Sequence, residues 1–414
     1  MSATSKNQLT YALDVAARTE ELVHAYRHQL VSEAQVDATS AGGALLTSPI
    51  QGWPFAVKEV FDVAGVVTSG GSKAYQDRVP SNDATVVERL RSAGGILVGT
   101  QIAHELTCGL DQPPTRNPWD LSCYPGGSSA GAGVSVAVGS ARFALGTDAA
   151  GSVRIPAAMT GTTGLKPTWG SISSRGVMRQ ASAPSIDHVG IIAKSAAEIA
   201  QILPILAGPD PWDKATLLSR PMIENTSLHG KKIAVLGEST IESVAQTCNI
   251  DPEVKAAFSE ACDVFLQAGA EFIDLELPTL QMAVDATVTF FSAELACANA
   301  NTLKERRGTF SPPVAEMIEA GLAISKDQLL NAIDTRLKLR HEVTSALTDA
   351  DASFLLTPTS PRPAMPLAGF DPTSELATLI PFTCGFNLTG NPAISVPCGQ
   401  TRNGLPIGLQ IVGH

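Results

Sequence analysis

The segment ALGTDAAGSVRIPAA (residues 144–158), near the middle of the chain, surrounds four polar side chains with small residues. The apolar strand pattern FALGTD (143–148) runs into its first residues, and nothing in the segment favours a long helix or a long strand. Its polar groups are two hydroxyls, one carboxylate and one guanidinium, contributed by Thr147, Ser152, Asp148 and Arg154. These four residues are the first candidates for chemistry.

Outward from this segment, short apolar runs that predict strands alternate with helical patterns. The predicted strands are PFAVK (54–58), ILVGT (96–100), FALGTD (143–148), KKIAVLG (231–237), EFIDLELP (271–278), ASFLLTP (352–358), AISVP (393–397) and IGLQIVG (407–413). The predicted helices are 7–34, 83–95 with an Asp83 cap, 130–141, 251–270 and most of 280–348. This alternation predicts an α/β fold built on one large sheet.

The composition is that of a globular protein, with 414 residues, 44% of them hydrophobic and 17% charged. The net charge of −11 argues against a protein that binds nucleic acid through its phosphates. The N-terminal segment lacks the apolar core of a signal peptide, and no run of about eighteen apolar residues predicts a membrane span. Seven scattered cysteines without a C-x-x-C pair argue against disulfides and zinc. We therefore expect a soluble cytoplasmic protein that binds neither nucleic acid nor membrane.

A second candidate is the run GGSSAG that precedes the predicted helix at 130–141. Residues 127–131 match the G-x-S-x-G pattern of an α/β-hydrolase, with Ser129 as nucleophile. That function needs a later acid and histidine, yet His188 directly follows Asp187, a poor arrangement for an acid that must orient the ring. A Gly/Ser turn that caps the helix explains these residues better.

Lys58 is unusual because it ends an apolar strand. Its ammonium group either reaches solvent or pairs with a carboxylate such as Glu59 or Asp62, or else it is buried with a lowered pKa and acts as a base. Spacing alone favours the first alternative. No H-E-x-x-H or other metal-ligand spacing occurs, so we expect neither a metal nor a cofactor.

Four segments together resemble the amidase signature family, serine hydrolases of carbon–nitrogen bonds. They are GWPFAVKEVFDVAG (52–65), TRNPWDLSCYPGGSSAGAG (115–133), ALGTDAAGSVRIPAAMTGTTGLKPTWGSIS (144–173) and the tail from Asn387 to Gly413. The resemblance implies a large mixed twisted sheet covered on both sides by helices, in one domain spanning 1–414. Within it we expect a signature core (52–205), a helical substrate-side region (210–350) and closing strands (353–413).

The resemblance also implies a Ser–cis-Ser–Lys triad. By residue-to-residue match Ser152 is the nucleophile, Ser128, 24 positions earlier, is the bridging serine after a cis peptide bond, and Lys58 is the base. Ser129 is then a supporting neighbour and not the nucleophile. This chemistry is sound, because a serine hydroxyl needs a base, and a buried neutral lysine can serve through a second hydroxyl that both donates and accepts.

An oxyanion hole is implied in the same loop, where small side chains let consecutive backbone N–H groups converge. Its expected donors are the amides of Ala149, Ala150, Gly151 and Ser152. The family commonly has glycine where Ala150 stands, and alanine at positive φ would add about 1 kcal/mol of strain. Relatives acting on urea-like or carbamate substrates also carry Ala-Gly before the serine, which favours such substrates here.

Other residues are expected to support or contact the substrate. Thr147, Asp148 and Arg154 are expected to support the loop, Thr107 and Cys108 to lie near the substrate, and specificity to reside in 103–114 and 280–345. The family usually continues with a further helix beyond the position of His414.

The leading functional hypothesis is hydrolysis of a small amide or carbamate through an acyl- or carbamoyl-serine, by a monomer or homodimer. The first alternative is the amidotransferase A-subunit, which releases ammonia from glutamine within a complex. That branch typically has glutamine where this chain has Ile155, which counts against it. The second alternative is a non-catalytic binding protein, which the intact Lys58, Ser128 and Ser152 disfavour.

Overall fold

One mixed β-sheet of eleven strands runs through the part of the chain that the computed structural model describes, residues 3–43, 48–218 and 228–414. In sequence the strands are β1 Tyr26–Gln29, β2 Pro54–Lys58, β3 Ile96–Gln101, β4 Phe143–Asp148, β5 Thr163–Lys166, β6 His188–Ala193, β7 Lys232–Leu236, β8 Glu271–Leu275, β9 Ala352–Pro358, β10 Ala393–Gln400 and β11 Pro406–Val412. Their order across the sheet is β1-β3-β2-β4-β6-β5-β10-β11-β9-β7-β8. The predicted α/β fold is confirmed.

Helices connect the strands. They are α1 Ala3–Val23, α2 Val31–Gly43, α3 Thr85–Ser92, α4 Ala130–Val138, α5 Arg154–Thr160, α6 Ala196–Leu206, α7 Glu238–Ala245, α8 Pro252–Gln267, α9 Ala283–Arg306, α10 Pro312–Leu322, α11 Lys326–Asp349, α12 Pro372–Leu379 and α13 Gly385–Thr389.

Both faces of the sheet are buried, as the alternation along β2 illustrates. Phe55 and Val57 join the main core, which also contains residues of α3, α6, α9, α10 and α11. Ala56, pointing the other way, joins a separate cluster with residues of α1, α2 and α4. Helices therefore cover the sheet on its two sides, and the central strands β2, β3 and β4 are buried along their whole length.

The single helix predicted for residues 7–34 is wrong. α1 ends at Val23, and the Glu20 carboxylate accepts the backbone N–H groups of Ala25 and Tyr26 just beyond that end. His24 takes a left-handed φ of 47°, and the chain continues as β1, antiparallel to β3. Pairing with the sheet edge thus outweighs the local helical periodicity.

Smaller corrections concern helix ends. Asp83 does not cap α3, because one carboxylate oxygen accepts the N–H of Ala64 and the other pairs with Arg91. α4 stops at Val138, where Gly139 adopts a φ of 90° that ends the helix. The region 353–413 contains α12 and α13 as well as the expected strands.

Strand direction collects the polar residues at one edge. β2 and β4 are parallel, so their final residues, Lys58 and Asp148, lie at the same edge of the sheet. β6 is antiparallel to β4 and begins there, with His188 opposite Asp148. The chain on either side of these residues supplies the remaining groups of the site.

Candidate active site

Lys58 lies at the centre of this edge and is fully buried. Its Nζ donates hydrogen bonds to Ser128 Oγ at 2.7 Å and to Thr147 Oγ1 at 3.0 Å. Burial lowers the pKa of Lys58 to about 8, against the opposing effect of the nearby carboxylates. The lysine thus reaches neither solvent nor a carboxylate partner, contrary to the alternative that spacing favoured, and its neutral fraction near neutral pH is much larger than that of an exposed lysine.

Ser128 follows a cis peptide bond with Gly127 and is buried. Glycine is required at 127, since a Cβ there would collide with the His104 ring and would lie 2.6 Å from the Tyr124 hydroxyl. The neighbouring Ser129 turns away from the substrate side, because its Oγ donates to the Thr147 carbonyl at 3.3 Å. Its side chain makes no capping hydrogen bond to α4, so the capping role considered for this turn is not observed.

Ser152 lies in the tight turn between β4 and α5, where it keeps partial exposure and shares a pocket with Ser128. The Asp148 carboxylate shapes this turn by accepting the N–H of Gly151 at 2.7 Å and that of Val153 at 3.1 Å. The turn is also tied to the loop before α4, because the N–H of Ser129 donates to the Ser152 carbonyl at 3.2 Å. The two serine-bearing loops therefore hold each other in place.

Asp148 and Arg154 form an ion pair in which both side chains have 0% exposure. Two guanidinium nitrogens donate to the carboxylate, at 2.8 and 3.0 Å. Burial alone would raise the pKa of Asp148, but the Arg154 charge outweighs it and holds that pKa below its usual range. The remaining donors of Arg154 bind the Thr383 carbonyl, Asn387 Oδ1 and Gln410 Oε1. Because the described hydrogen bonds of Asp148 and Arg154 go to the Ser152 turn, to each other and to neighbouring protein groups, we assign this pair to support of the turn.

The backbone of this turn decides which amides are available to an oxyanion. Gly151 has a φ of 130°, and a Cβ there would lie 2.5 Å from Thr383 Oγ1, so glycine is required. Ala150 does not take positive φ, so the strain considered for alanine at this position does not arise. The Gly151 N–H is committed to Asp148. Within the described chain, no protein atom accepts the N–H of Ala150 or of Ser152.

Ser128 and Ser152 open into a pocket of about 640 Å³, which we call the substrate pocket. Its lining is Thr107, Cys108, Gly109, Tyr124, Gly127, Ser128, Ala149, Ala150, Ser152, Ile155, Thr287, Val288, Phe291, Met317, Leu376, Leu379 and Ile380. None of these described lining residues has a charged side chain. The segments expected to set specificity, 103–114 and 280–345, both contribute, and α12 contributes without having been predicted to.

The two residues expected near the substrate, Thr107 and Cys108, both line this pocket. Leu106 and Thr107 adopt positive φ values of 46° and 61°, an uncommon conformation for residues other than glycine. Thr107 Oγ1 donates to the Ala181 carbonyl at 3.1 Å, which holds the turn. Burial raises the pKa of the Cys108 thiol well above its usual value, so this side chain presents a neutral surface.

Asp187 and Asn387 are two polar residues of the site that the sequence did not predict. Asn387 Nδ2 donates to the backbone carbonyl of Asp148 at 2.6 Å, and the only sequence signal for it was its place in the NLTGNP segment of the tail. Asp187 is brought close by the β4–β6 pairing. Burial raises its pKa, and the Lys58 charge opposes this effect.

In residues 3–43, 48–218 and 228–414, no group of three or more His, Cys, Asp or Glu side chains is arranged to hold a metal ion. No helix over these ranges is both long enough and apolar enough to cross a membrane. The seven cysteines are unpaired thiols.

Comparison with known proteins matches residues 8–414 to the Amidase family. The chain is 37% identical over 403 residues to a glutamyl-tRNA(Gln) amidotransferase A-subunit from Myxococcus xanthus, covering 89% of this chain and 80% of that protein. A crystal structure of an amidase has 30% identity and a TM-score of 0.85, over 98% of this chain and 91% of that one. The structure of a 6-aminohexanoate cyclic dimer hydrolase with its substrate has 25% identity and a TM-score of 0.87, over 99% and 90% of the two chains. The protein therefore belongs to the amidase signature family.

Proposed function

We propose that this protein hydrolyses the C–N bond of a small, uncharged amide, carbamate or urea-like substrate, with Ser152 as nucleophile and Ser128 and Lys58 as the proton relay. The observation that carries the proposal is the 2.7 Å hydrogen bond from the buried Lys58 amine to Ser128, whose hydroxyl shares the substrate pocket with Ser152. The family membership of the chain and its likeness to amidases support the reaction class.

The reaction begins with Lys58 neutral. Its amine takes the proton of Ser128 as that hydroxyl takes the proton of Ser152, and the Ser152 oxygen attacks the substrate carbonyl. The negative oxygen that forms is held by the amides of Ala149, Ala150 and Ser152, while the Gly151 amide stays bound to Asp148 and keeps the turn in shape.

Collapse of this intermediate breaks the C–N bond. The proton held by Lys58 returns through Ser128 to the leaving nitrogen, so the group departs as a neutral amine. A water molecule then attacks the acyl- or carbamoyl-Ser152 ester, giving up a proton through Ser128 to Lys58. When the ester C–O bond breaks, that proton returns to the Ser152 oxygen, the acid or carbamate leaves, and Lys58 is neutral again. Apart from this water, each step as proposed uses groups of the chain and the substrate.

The substrate class follows from the lining of the substrate pocket. Phe291, Met317, Leu376 and Ile380 present apolar surface beside the two serines. A charged acyl group would lose its hydration there without gaining an ionic partner among the described lining residues, a cost of several kcal/mol. An apolar acyl group gains about 25 cal/mol for each Å² that it buries. The likeness to a hydrolase whose substrate is a cyclic amide is consistent with this preference.

A second candidate is the release of ammonia from glutamine by an amidotransferase A-subunit, favoured by the 37% identity to a protein of that name. Glutamine carries an ammonium and a carboxylate at its free end, and both need polar or charged partners once they leave water. The described lining of the substrate pocket offers hydroxyl groups and a thiol but no charged side chain. This contrast is why we place the hydrolysis of neutral amides first.

The test is a substrate panel with purified protein: anilides of apolar acids, aryl carbamates, aryl ureas and glutamine, with amine or ammonia release measured. We expect turnover of at least one neutral class, loss of it in Ser152→Ala, and near-normal turnover in the matched control Ser129→Ala. Release of ammonia from glutamine alone, or only with a second protein, would establish the amidotransferase function instead. Equal turnover by Ser152→Ala and the unaltered protein would refute the assigned nucleophile.

A further inference from the structure

Lys58 connects two separate pockets. Its amine donates to Ser128, which lines the substrate pocket, and to Thr147, which lines a different pocket of about 600 Å³ that is open to solvent. We call the latter the rear pocket, and its lining includes Thr147, Ser182, Asp187, His188 and Asp213. Neither Ser128 nor Ser152 lines it. The catalytic amine can therefore be reached by hydrogen bonds from a side that the substrate does not occupy.

Of the two carboxylates that line the rear pocket, Asp187 is the one whose charge acts on Lys58. It directly precedes β6, whose first residue lies opposite Asp148 in β4. One oxygen accepts the Ser182 hydroxyl at 3.0 Å, and the other accepts the backbone N–H of His188 at 3.0 Å. These bonds hold the carboxylate at the wall of the pocket, and the residue as a whole has intermediate exposure.

Each of the other charged groups around Lys58 has a partner of its own. Asp148 is paired with Arg154 at 2.8 Å, and Glu59 with Arg27 at 3.0 Å. The described part of the chain gives Asp187 no ion pair within 4.0 Å. The Lys58 ammonium is therefore the cation whose charge acts on the Asp187 carboxylate, where it opposes the rise in the Asp187 pKa.

The neighbouring bases do not compete with Asp187. Burial lowers the pKa of His188 well below its usual value, so this ring is neutral. The His188 Nδ1 is 2.8 Å from the Ile186 carbonyl, which assigns its proton to that nitrogen. Lys166, also buried, has its pKa lowered well below normal by burial.

We propose that Lys58 exchanges its proton with solvent through the rear pocket, and that Asp187 is the positioning residue that receives this proton and leaves the amine neutral. One proton passes from the Lys58 ammonium to the Asp187 carboxylate, through the Thr147 hydroxyl or a solvent water in the pocket. The products are a neutral amine and a neutral carboxylic acid. The inference rests on the proposed function, in which Lys58 is the base.

The electrostatics of the two groups agree with such an exchange. Burial raises the pKa of Asp187 to about 7 and lowers that of Lys58 to about 8, so the two proton affinities approach each other. These opposite shifts reduce the free-energy difference between the two positions of a proton that the pair shares. The benefit arises when an acyl group fills the substrate pocket, because the base can then still reach its active protonation state from the other side.

The test compares Asp187→Asn with the matched control Asp213→Asn in the pH dependence of kcat/KM. Asp213 lines the same pocket, but its carboxylate accepts the Ser174 N–H at 2.7 Å and the Ala215 N–H at 3.1 Å. In the unaltered protein we expect the activity to rise with pH in two steps that belong to the coupled pair. Removing the Asp187 charge takes away a group that favours the ammonium form of Lys58. The Asp187→Asn profile should therefore rise in one step, displaced to lower pH by roughly one unit.

A second variant, Ser182→Ala, tests the same proton exchange without altering Asp187 itself, and it serves where Asp187→Asn folds poorly. Ser182→Ala removes the hydrogen bond that Ser182 donates to the Asp187 carboxylate. Loss of this bond favours the protonated form of Asp187, so the lower step should move to higher pH. Formate should in turn restore the two-step profile to Asp187→Ala, since the pocket has room for a small carboxylate. An unchanged profile in Asp187→Asn, or equal displacement in Asp213→Asn, overturns the proposal. Failure of the proposed function is a separate result, seen as retained turnover in Ser152→Ala.

Discussion

The buried pair of Asp148 and Arg154 allows a direct test of whether Asp148 supports the fold or takes part in the chemistry. Replacing Asp148 with Asn leaves the Arg154 guanidinium, which has 0% exposure, without its counter-charge. Removing one partner of a buried pair typically costs about 3–5 kcal/mol. The amides of Gly151 and Val153 also lose a charged acceptor, so we expect the free energy of unfolding to fall by at least that amount.

The matched control is Asp14→Asn, which removes the partner of Arg18 in a pair with 59% and 64% exposure. Exposed pairs contribute about 1 kcal/mol or less. Urea denaturation followed by far-UV circular dichroism measures both variants. A double variant, Asp148→Asn with Arg154→Met, removes the stranded charge and should recover part of the loss. An Asp148→Asn protein as stable as the control but inactive would refute the structural role and assign Asp148 to the chemistry.

Three further predictions concern the turn, the base and the pocket. Gly151→Ala should abolish activity, because the new Cβ would lie 2.5 Å from Thr383 Oγ1 at a φ of 130°. The matched control is Gly65→Ala, where nothing lies within 4 Å of the new Cβ, and it should cost only about 1 kcal/mol of stability. With neutral Lys58 as the proposed base, kcat/KM should fall as the pH drops below the Lys58 pKa of about 8, and a profile that is flat between about pH 6 and pH 9 would contradict this role. Met317→Ala should raise kcat/KM for bulkier acyl groups relative to smaller ones by roughly tenfold, measured on a homologous series of anilides, and an unchanged ratio would place the acyl group elsewhere.

Motif resemblance predicted those parts of the site that lie in contiguous sequence. Ser128 and Ser152 occupy two short loops whose small residues are visible in the sequence, and the cis bond at Gly127–Ser128 accompanies them. The state of Lys58 was not predictable from its own neighbourhood. Whether a lysine at a strand end is buried depends on what the other strands and loops place over it, and spacing alone favoured exposure or pairing with a carboxylate.

The features that sequence did not predict depend on contacts between distant residues. Arg154 binds Asn387 and Gln410, which are 233 and 256 positions away, and no local pattern reports such contacts. Asp187 approaches Lys58 because β4 and β6 are antiparallel neighbours. The helix predicted over 7–34 failed for the same reason, since the pairing of β1 with β3 is a property of the assembled sheet.

The central claim is that Ser152 forms the bond to the substrate, and trapping the acyl- or carbamoyl-enzyme tests it most directly. The protein is treated with an aryl carbamate or a fluorophosphonate, and peptide mass spectrometry then locates the adduct. We predict one adduct per chain on Ser152, persisting in Ser129→Ala and absent in Ser152→Ala. An adduct on Ser129, or full labelling of Ser152→Ala, would contradict the account.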